Sequence, residues 1–147
     1  MGTTTPAVRI LPMNRRKEFP HCKNTEELQQ RFFLEDLPFR PNGDYWLYRA
    51  GLVAEPGTVI LFQSDGMIIA SAVLRDCERF EKPDEDGYEG RLYLDVSSIK
   101  VFDPVAKDVL GRIWPEVKRL GRVKWSVNPE GYAAFERGLK HIETPRV

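Results

Sequence analysis

The most telling hydrophobic pattern in the chain lies over residues 56–74, "PGTVILFQSDGMIIASAVL", where two apolar runs of similar length flank Ser-Asp-Gly. Neither run alternates apolar with polar residues, as a hairpin with one wet face would. Asp65-Gly66 suits a two-residue type I′ turn, whose central positions both need positive φ. That turn predicts pairing of Ser64 with Met67, Phe62 with Ile69 and Ile60 with Ser71. One face then collects Ile60, Phe62, Met67, Ile69 and Val73, and the other Val59, Leu61, Ile68, Ala70, Ala72 and Leu74. With both faces apolar, the pair is either the centre of a helix-covered sheet or the wall of a small barrel with a filled interior and helices outside.

The remaining pattern reads as mixed α and β. Residues 1–23 read as an extended or irregular arm carrying the basic cluster Arg15-Arg16-Lys17 beside Glu18. Asn24 or Thr25 caps a predicted helix with Leu28, Phe32 and Phe33 as its stripe, and Pro38 disfavours a helical residue before it. A turn at Pro41-Asn42-Gly43-Asp44 leads into a short aromatic strand over 45–48. The acidic run "EKPDEDGYEG" reads as a solvated surface loop. "RLYLDVSSIKVF" then alternates Leu92, Leu94 and Val96 with Arg91, Tyr93 and Asp95, as a strand half exposed at its start does. Asp103-Pro104 reads as the start of a helix with Val105, Val109, Leu110 and Ile113 as its stripe, kinked at Pro115. "GRVKWSV" reads as a short strand, and Asn128-Pro129-Glu130 opens a last helix burying Tyr132, Phe135 and Leu139.

Composition narrows the class. A chain of 147 residues with 41% apolar and 30% charged residues is of the size and balance of one globular domain. No apolar run approaches the ~20 residues of a membrane helix, and the N-terminus has no signal-peptide pattern, so a cytoplasmic protein without a membrane partner is expected. Cys22 and Cys77 are too few for a disulfide framework and are expected to be free. Net charge is zero but unevenly spread: residues 60–99 carry four Lys/Arg against nine Asp/Glu, and residues 100–147 ten against six. Such a balance does not suit a general nucleic-acid coat, yet leaves room for one basic face.

No catalytic or metal-binding constellation stands out. His21 and His141 are the only histidines, His21-Cys22 lacks a second ligand pair, and Asp84-Glu85-Asp86-Gly87 lacks the spacing and closing Glu of a calcium loop. No metal, no cofactor and no enzymatic role are expected. What does stand out is aromatic. Tyr45, Trp46, Tyr48, Phe62, Trp114 and Trp125 interleave with Arg40, Arg49, Arg112, Arg122 and Lys124, the combination a site needs to stack on a base and neutralise a phosphate. The competing reading is that most of these rings are core, as large aromatics usually are. Trp46, after a turn and among polar and basic residues, is the leading candidate for a site, and Arg40, Arg49, Arg122 and Lys124 are the candidates for phosphate.

The run "WLYRAGLVAEPGTVILFQSDGMIIASAVL", the acidic loop, "LYLDVSSIKVFDPV" and "IWPEVKRLGRVKWSVNP" together resemble the PUA-like superfamily. They are close in style to its EVE branch, of the kind found N-terminal to HNH nuclease modules in bacterial restriction-type proteins. The likeness covers roughly 44–130 and is one of fold pattern, which carries function weakly. It implies a single domain over 1–147 of α+β class: a small bent mixed β-barrel with helices packed outside. It further implies a non-catalytic reader of nucleic acid, as in the EVE, YTH and SRA-type relatives that hold a modified nucleotide in an aromatic cage. The expected ligand is modified DNA with its base flipped out of the stack, read for an attached or associated nuclease. The residues this points to are Tyr45, Trp46 and Tyr48 before the hairpin, Phe62, Ser64 and Asp65 at its turn end, and Trp125. An RNA-binding PUA-type accessory domain and a small-ligand-binding or enzymatic barrel are the alternatives.

Overall fold

The computed structural model of the chain describes residues 7–47, 54–115, 117 and 125–146. Its centre is a six-stranded mixed sheet. The strands are β1 (Val8–Pro12), β2 (Asp44–Leu47), β3 (Val59–Ser64), β4 (Met67–Arg79), β5 (Gly90–Ala106) and β6 (Trp125–Val127), in the order β2-β5-β4-β3-β1-β6. All neighbours are antiparallel except β1 and β3, which run parallel. The helices are short: α1 (Arg15–Glu18), α2 (Thr25–Leu28) continuing as a π-turn over Gln29–Leu34, α3 (Lys107–Ile113) and α4 (Tyr132–Arg137). Among the described residues no helix is long and apolar enough to cross a membrane.

The α+β class is as the residues predict, but the barrel is not. Among the described residues β2 and β6 stand at opposite ends of the sheet without pairing, so it stays open. Those end strands have four and three residues, too short to close a ring around a common interior. Bulges in β4 and β5, between Ile68 and Ala70, Ser71 and Val73, and Leu74 and Asp76, bend the sheet instead.

An open sheet with two buried faces accounts for the doubly apolar hairpin. One core cluster gathers Ile60, Phe62, Ile69, Ala70, Ala72 and Leu74 with Leu11, Leu92 and Leu94 beneath Phe19, Leu28, Phe32, Phe33 and Leu37 of the N-terminal helical segment. The other gathers Val59, Leu61 and Ile68 with Val8 and Ile10 beneath Leu110, Trp114 and Phe135. The predicted turn is present, with φ of +52° at Asp65 and +79° at Gly66, and Ser64 pairs with Met67. Beyond it the register differs by one residue: Phe62 pairs with Ala70 and Ile60 with Ala72. The extra residue at the bulge shifts Ala70, Ala72 and Leu74 onto the face of Ile60 and Phe62, reversing the face predicted for them.

Two further segments differ from expectation. The N-terminal arm is not irregular: β1 lies inside the sheet between β3 and β6, its Val8, Ile10 and Leu11 buried. A strand buried on both faces need not alternate, so "VRILP" gave no period to read. Asp103-Pro104 does not open a helix either, because β5 continues through both residues to Ala106. Backbone bonds from Asp103 N to the Lys140 carbonyl, and in both directions between Val101 and Glu143, bind this end of β5 to the C-terminal segment.

Candidate base-binding pocket

The pocket starts at a one-turn helix. Asn14 caps α1 by accepting from Lys17 N at 3.1 Å, while its own N–H donates to Glu18 Oε2 at 2.6 Å. This reciprocal capping closes a helix too short to persist alone. It also turns Glu18 inward, where its Oε1 accepts from the Tyr45 hydroxyl at 2.7 Å. The carboxyl sits between two donors, against apolar rings. Burial pushes its pKa up from the usual carboxylate range, opposed by the bonds from Asn14 and Tyr45 and by the charge of Lys17. Burial likewise holds the Tyr45 hydroxyl well above an ordinary phenol, with Glu18 adding to the shift.

Around this pair lies a cavity of about 360 Å³, lined by Glu18, Phe19, Phe32, Arg40, Asp44, Tyr45, Asp84, Asp86 and Tyr88. That volume lies within the span of small-molecule pockets, roughly 300–1,000 Å³. Its aromatic floor is the top of the core cluster. Phe19 and Phe32 lie 4.6 Å apart and Phe32 and Tyr45 5.7 Å, and the ladder continues to Phe33 and Phe62. Arg40 lies over Phe32, its Cζ 5.0 Å from the ring centre. The Asp36 carboxylate grips that guanidinium at Nε and Nη2, both at 3.0 Å, and the Asp44 carbonyl accepts from Nη1 at 3.2 Å. The acidic loop after β4 adds Asp84, Asp86 and Tyr88 to the lining. Asp84 Oδ1 accepts from the backbone of Asp86 at 3.0 Å and of Tyr88 at 2.9 Å, folding the loop so that its residues reach the cavity.

The arrangement favours a planar ligand whose edge donates hydrogen bonds. The floor is apolar ring, and Glu18, Asp84 and Asp86 supply carboxylates around it. An anion is disfavoured inside, because Arg40 is already paired. Positive charge stands next to Glu18 along α1, where Arg16 and Lys17 are exposed. Among the described residues, no group of three His, Cys, Asp or Glu side chains is placed to hold a metal ion.

The residues predicted from sequence scatter around this centre. Tyr45 and Arg40 line the cavity. Phe62 is 0% exposed and packs against Phe33 and Tyr45, one layer below. Ser64 is also fully buried, its hydroxyl without a hydrogen-bond partner. Asp65 binds the hairpin turn to the N-terminal helices, accepting from Arg15 Nε at 2.8 Å and Thr25 Oγ1 at 3.4 Å. Trp46 belongs to β2, its backbone opposite Arg91, and Trp125 to β6, opposite Ile10. The side chains of both tryptophans, and the whole of Tyr48, Arg49, Arg122 and Lys124, lie outside the described residues. Trp114 is core, donating from Nε1 to the Asn128 carbonyl at 2.7 Å.

Sequence reasoning passed over Glu18, Phe19, Phe32, Asp44, Asp84, Asp86 and Tyr88. The acidic loop read as solvated, and Phe32 as a helix stripe. Neither Glu18, directly after Arg15-Arg16-Lys17, nor Tyr88, inside an acidic run, carries a local signal that sets it apart.

No family model matches the chain, and no curated protein matches it. Among solved structures it is similar to the YTH domain of the Zygosaccharomyces rouxii MRB1 protein, crystallised in complex with N6-methyladenosine RNA. The TM-score is 0.53 at 12% identity, over 98% of this chain and 93% of that one. At that identity the likeness concerns the fold alone: the open six-stranded sheet and its helices are compatible with a YTH-like fold.

Proposed function

We propose that this domain is a non-catalytic nucleic-acid module that reads a modified base in the pocket between α1, the 37–45 segment and the 84–88 loop. The observation that carries the reading is the Glu18 carboxylate held at 2.7 Å by Tyr45, in the lining of an aromatic cavity large enough for a base. A base edge carries N–H donors, and a half-buried carboxylate is a strong acceptor for them. Aromatic rings supply apolar contact for the base and its added methyl. The fold supports the same reading, since the similar YTH domain was crystallised with methylated RNA.

The methyl group contributes roughly 1 kcal/mol of burial, so the unmodified base must also be rejected by pocket shape. RNA is the first ligand to try, because it is the ligand of the structural neighbour. Modified DNA, with the base turned out of the duplex and read on behalf of a nuclease in a restriction-type system, is the narrower form of the same reading. It has the EVE-like sequence pattern behind it.

The test is a fluorescence-anisotropy panel: single-stranded RNA with and without one N6-methyladenosine, and duplex DNA with and without N6-methyladenine or 5-methylcytosine. One modified probe should bind about five- to tenfold tighter than its unmodified twin, and Glu18→Gln, which weakens the acceptor for the base edge, should weaken binding of both. Equal or negligible binding of every probe would overturn the reading. Binding of a free nucleoside without any oligonucleotide would replace it with a small-ligand binder.

A further inference from the structure

Arg40 was expected to hold phosphate, and its surroundings argue otherwise. Phosphate recognition by arginine uses a free, charged fork. Here the Asp36 carboxylate occupies Nε and Nη2, both at 3.0 Å, and the Asp44 carbonyl takes Nη1 at 3.2 Å. Three of the five N–H groups of a guanidinium are thereby committed, and the neighbouring carboxylate offsets its charge. The side chain is nevertheless not buried away. It is 28% exposed, lines the cavity, and rests over the Phe32 ring with Cζ 5.0 Å from the centroid. Fixed on one side by a ring and along its edge by a carboxylate, it is a flat polar surface held in one orientation.

We propose that the Arg40 guanidinium is the stacking wall of the pocket, against which the plane of the bound base lies, and not a phosphate clamp. This rests on the reader function above and names a positioning residue within that site. Guanidinium planes stack on bases as aromatic rings do. A plane immobilised before binding loses little entropy when the base arrives. The stack would run Phe32, Arg40, base, while the base edge turns towards the Glu18 carboxylate. Lysine cannot substitute in this role, because an ammonium has charge without a plane.

The test uses the full chain and a fluorescein-labelled single-stranded RNA carrying one N6-methyladenosine, with affinity measured from low to moderate salt. Arg40→Lys and Arg40→Ala should both lose about five- to a hundredfold in affinity, the range of one base stack. The slope of log affinity against log salt should stay at the wild-type value. Arg40→Tyr, flat and uncharged, should bind more tightly than Arg40→Lys, an ordering that a purely structural role for the Asp36 pair would not produce. Wild-type affinity in Arg40→Lys, or a slope reduced by about one in Arg40→Ala, would identify a phosphate contact and overturn the proposal. Failure of Arg40→Tyr to exceed Arg40→Lys would overturn it as well. If wild type prefers the methylated probe and Glu18→Gln weakens binding while all three Arg40 variants bind normally, the reader function stands and the stacking wall falls. If wild type binds neither this RNA nor methylated duplex DNA, both fall.

Discussion

The two faces of the sheet are built from the same hairpin and serve different ends. On the face of α3 and α4, the rings close on one another: Phe135 lies 5.9 Å from Phe102 and 5.5 Å from Trp114, and the Trp114 N–H is satisfied by the Asn128 carbonyl. On the face of α1 and α2, the ring ladder reaches the surface unfinished, and at its end stand a half-buried carboxylate, a paired arginine and a cavity. The difference lies in what covers the sheet. One face has helices with apolar stripes. The other has one-turn helices, a π-turn and 3-10 turns, whose chain reversals bring polar side chains to the core's edge. Regular packing closes one face, and irregular covering leaves a cavity at the edge of the other.

The largest effects that separate the faces should come from the closed one. Phe135→Ala removes a ring 1% exposed, and should cost about 3–5 kcal/mol in denaturant unfolding. Affinity for a methylated probe, measured well below the melting point, should not change. A loss of methyl discrimination in that variant would mean that the faces are not independent. On the same face, a methyl added at Gly131 would stand 2.5 Å from Trp114 Nε1. Gly131→Ala should therefore cost about 1–3 kcal/mol by overpacking, visible as a lowered midpoint without a change in binding.

A smaller effect is expected where the hairpin joins the open face. Asp65 holds φ of +52° and accepts from Arg15 and Thr25. Asp65→Ala should cost about 1–2 kcal/mol, chiefly through the lost bonds from Arg15 and Thr25 and in small part because alanine tolerates the left-handed backbone less well than aspartate. Through Arg15 it should also loosen α1 and weaken probe binding, which amide exchange across residues 14–19 would register.

The smallest is a pH effect at Glu18. Its folded pKa is raised, so the folded state holds a proton that the unfolded chain, at about 4.3, has already released. Stability from this group is thus fully present below the unfolded value and is lost as pH rises through the folded one. The midpoint of wild type relative to Glu18→Gln should fall over that interval and stay level above it. A rise there would mean that Glu18 is stabilised in its ionised form.

What the sequence made legible follows from the same contrast. The Asp65-Gly66 turn was readable because its chemistry is local, and Phe135 because its helix has a period. The open sheet was one of two solutions to the doubly apolar hairpin, and the barrel was preferred only through the family likeness. The bulge at Ile69 could not be read, since it reflects how β4 fits β5 across more than 30 residues of chain. Of the residues singled out in the sequence, Tyr45 and Arg40 line the cavity. The cavity's other lining residues, Glu18 and Tyr88 among them, were hidden, because nothing local says that a carboxylate after three basic residues turns inward, or that an acidic loop folds back on Asp84.

The central claim is that the unfinished face, and not the closed one, takes a modified base. The direct measurement is a backbone-amide NMR titration of the chain with RNA carrying one N6-methyladenosine. The account predicts shifts confined to Glu18, Phe19, Phe32, Arg40, Tyr45 and residues 84–88, with Leu110, Trp114 and Phe135 unmoved. Shifts centred on α3 and α4, with the resonances of Glu18 and Tyr45 unchanged at saturation, would contradict it.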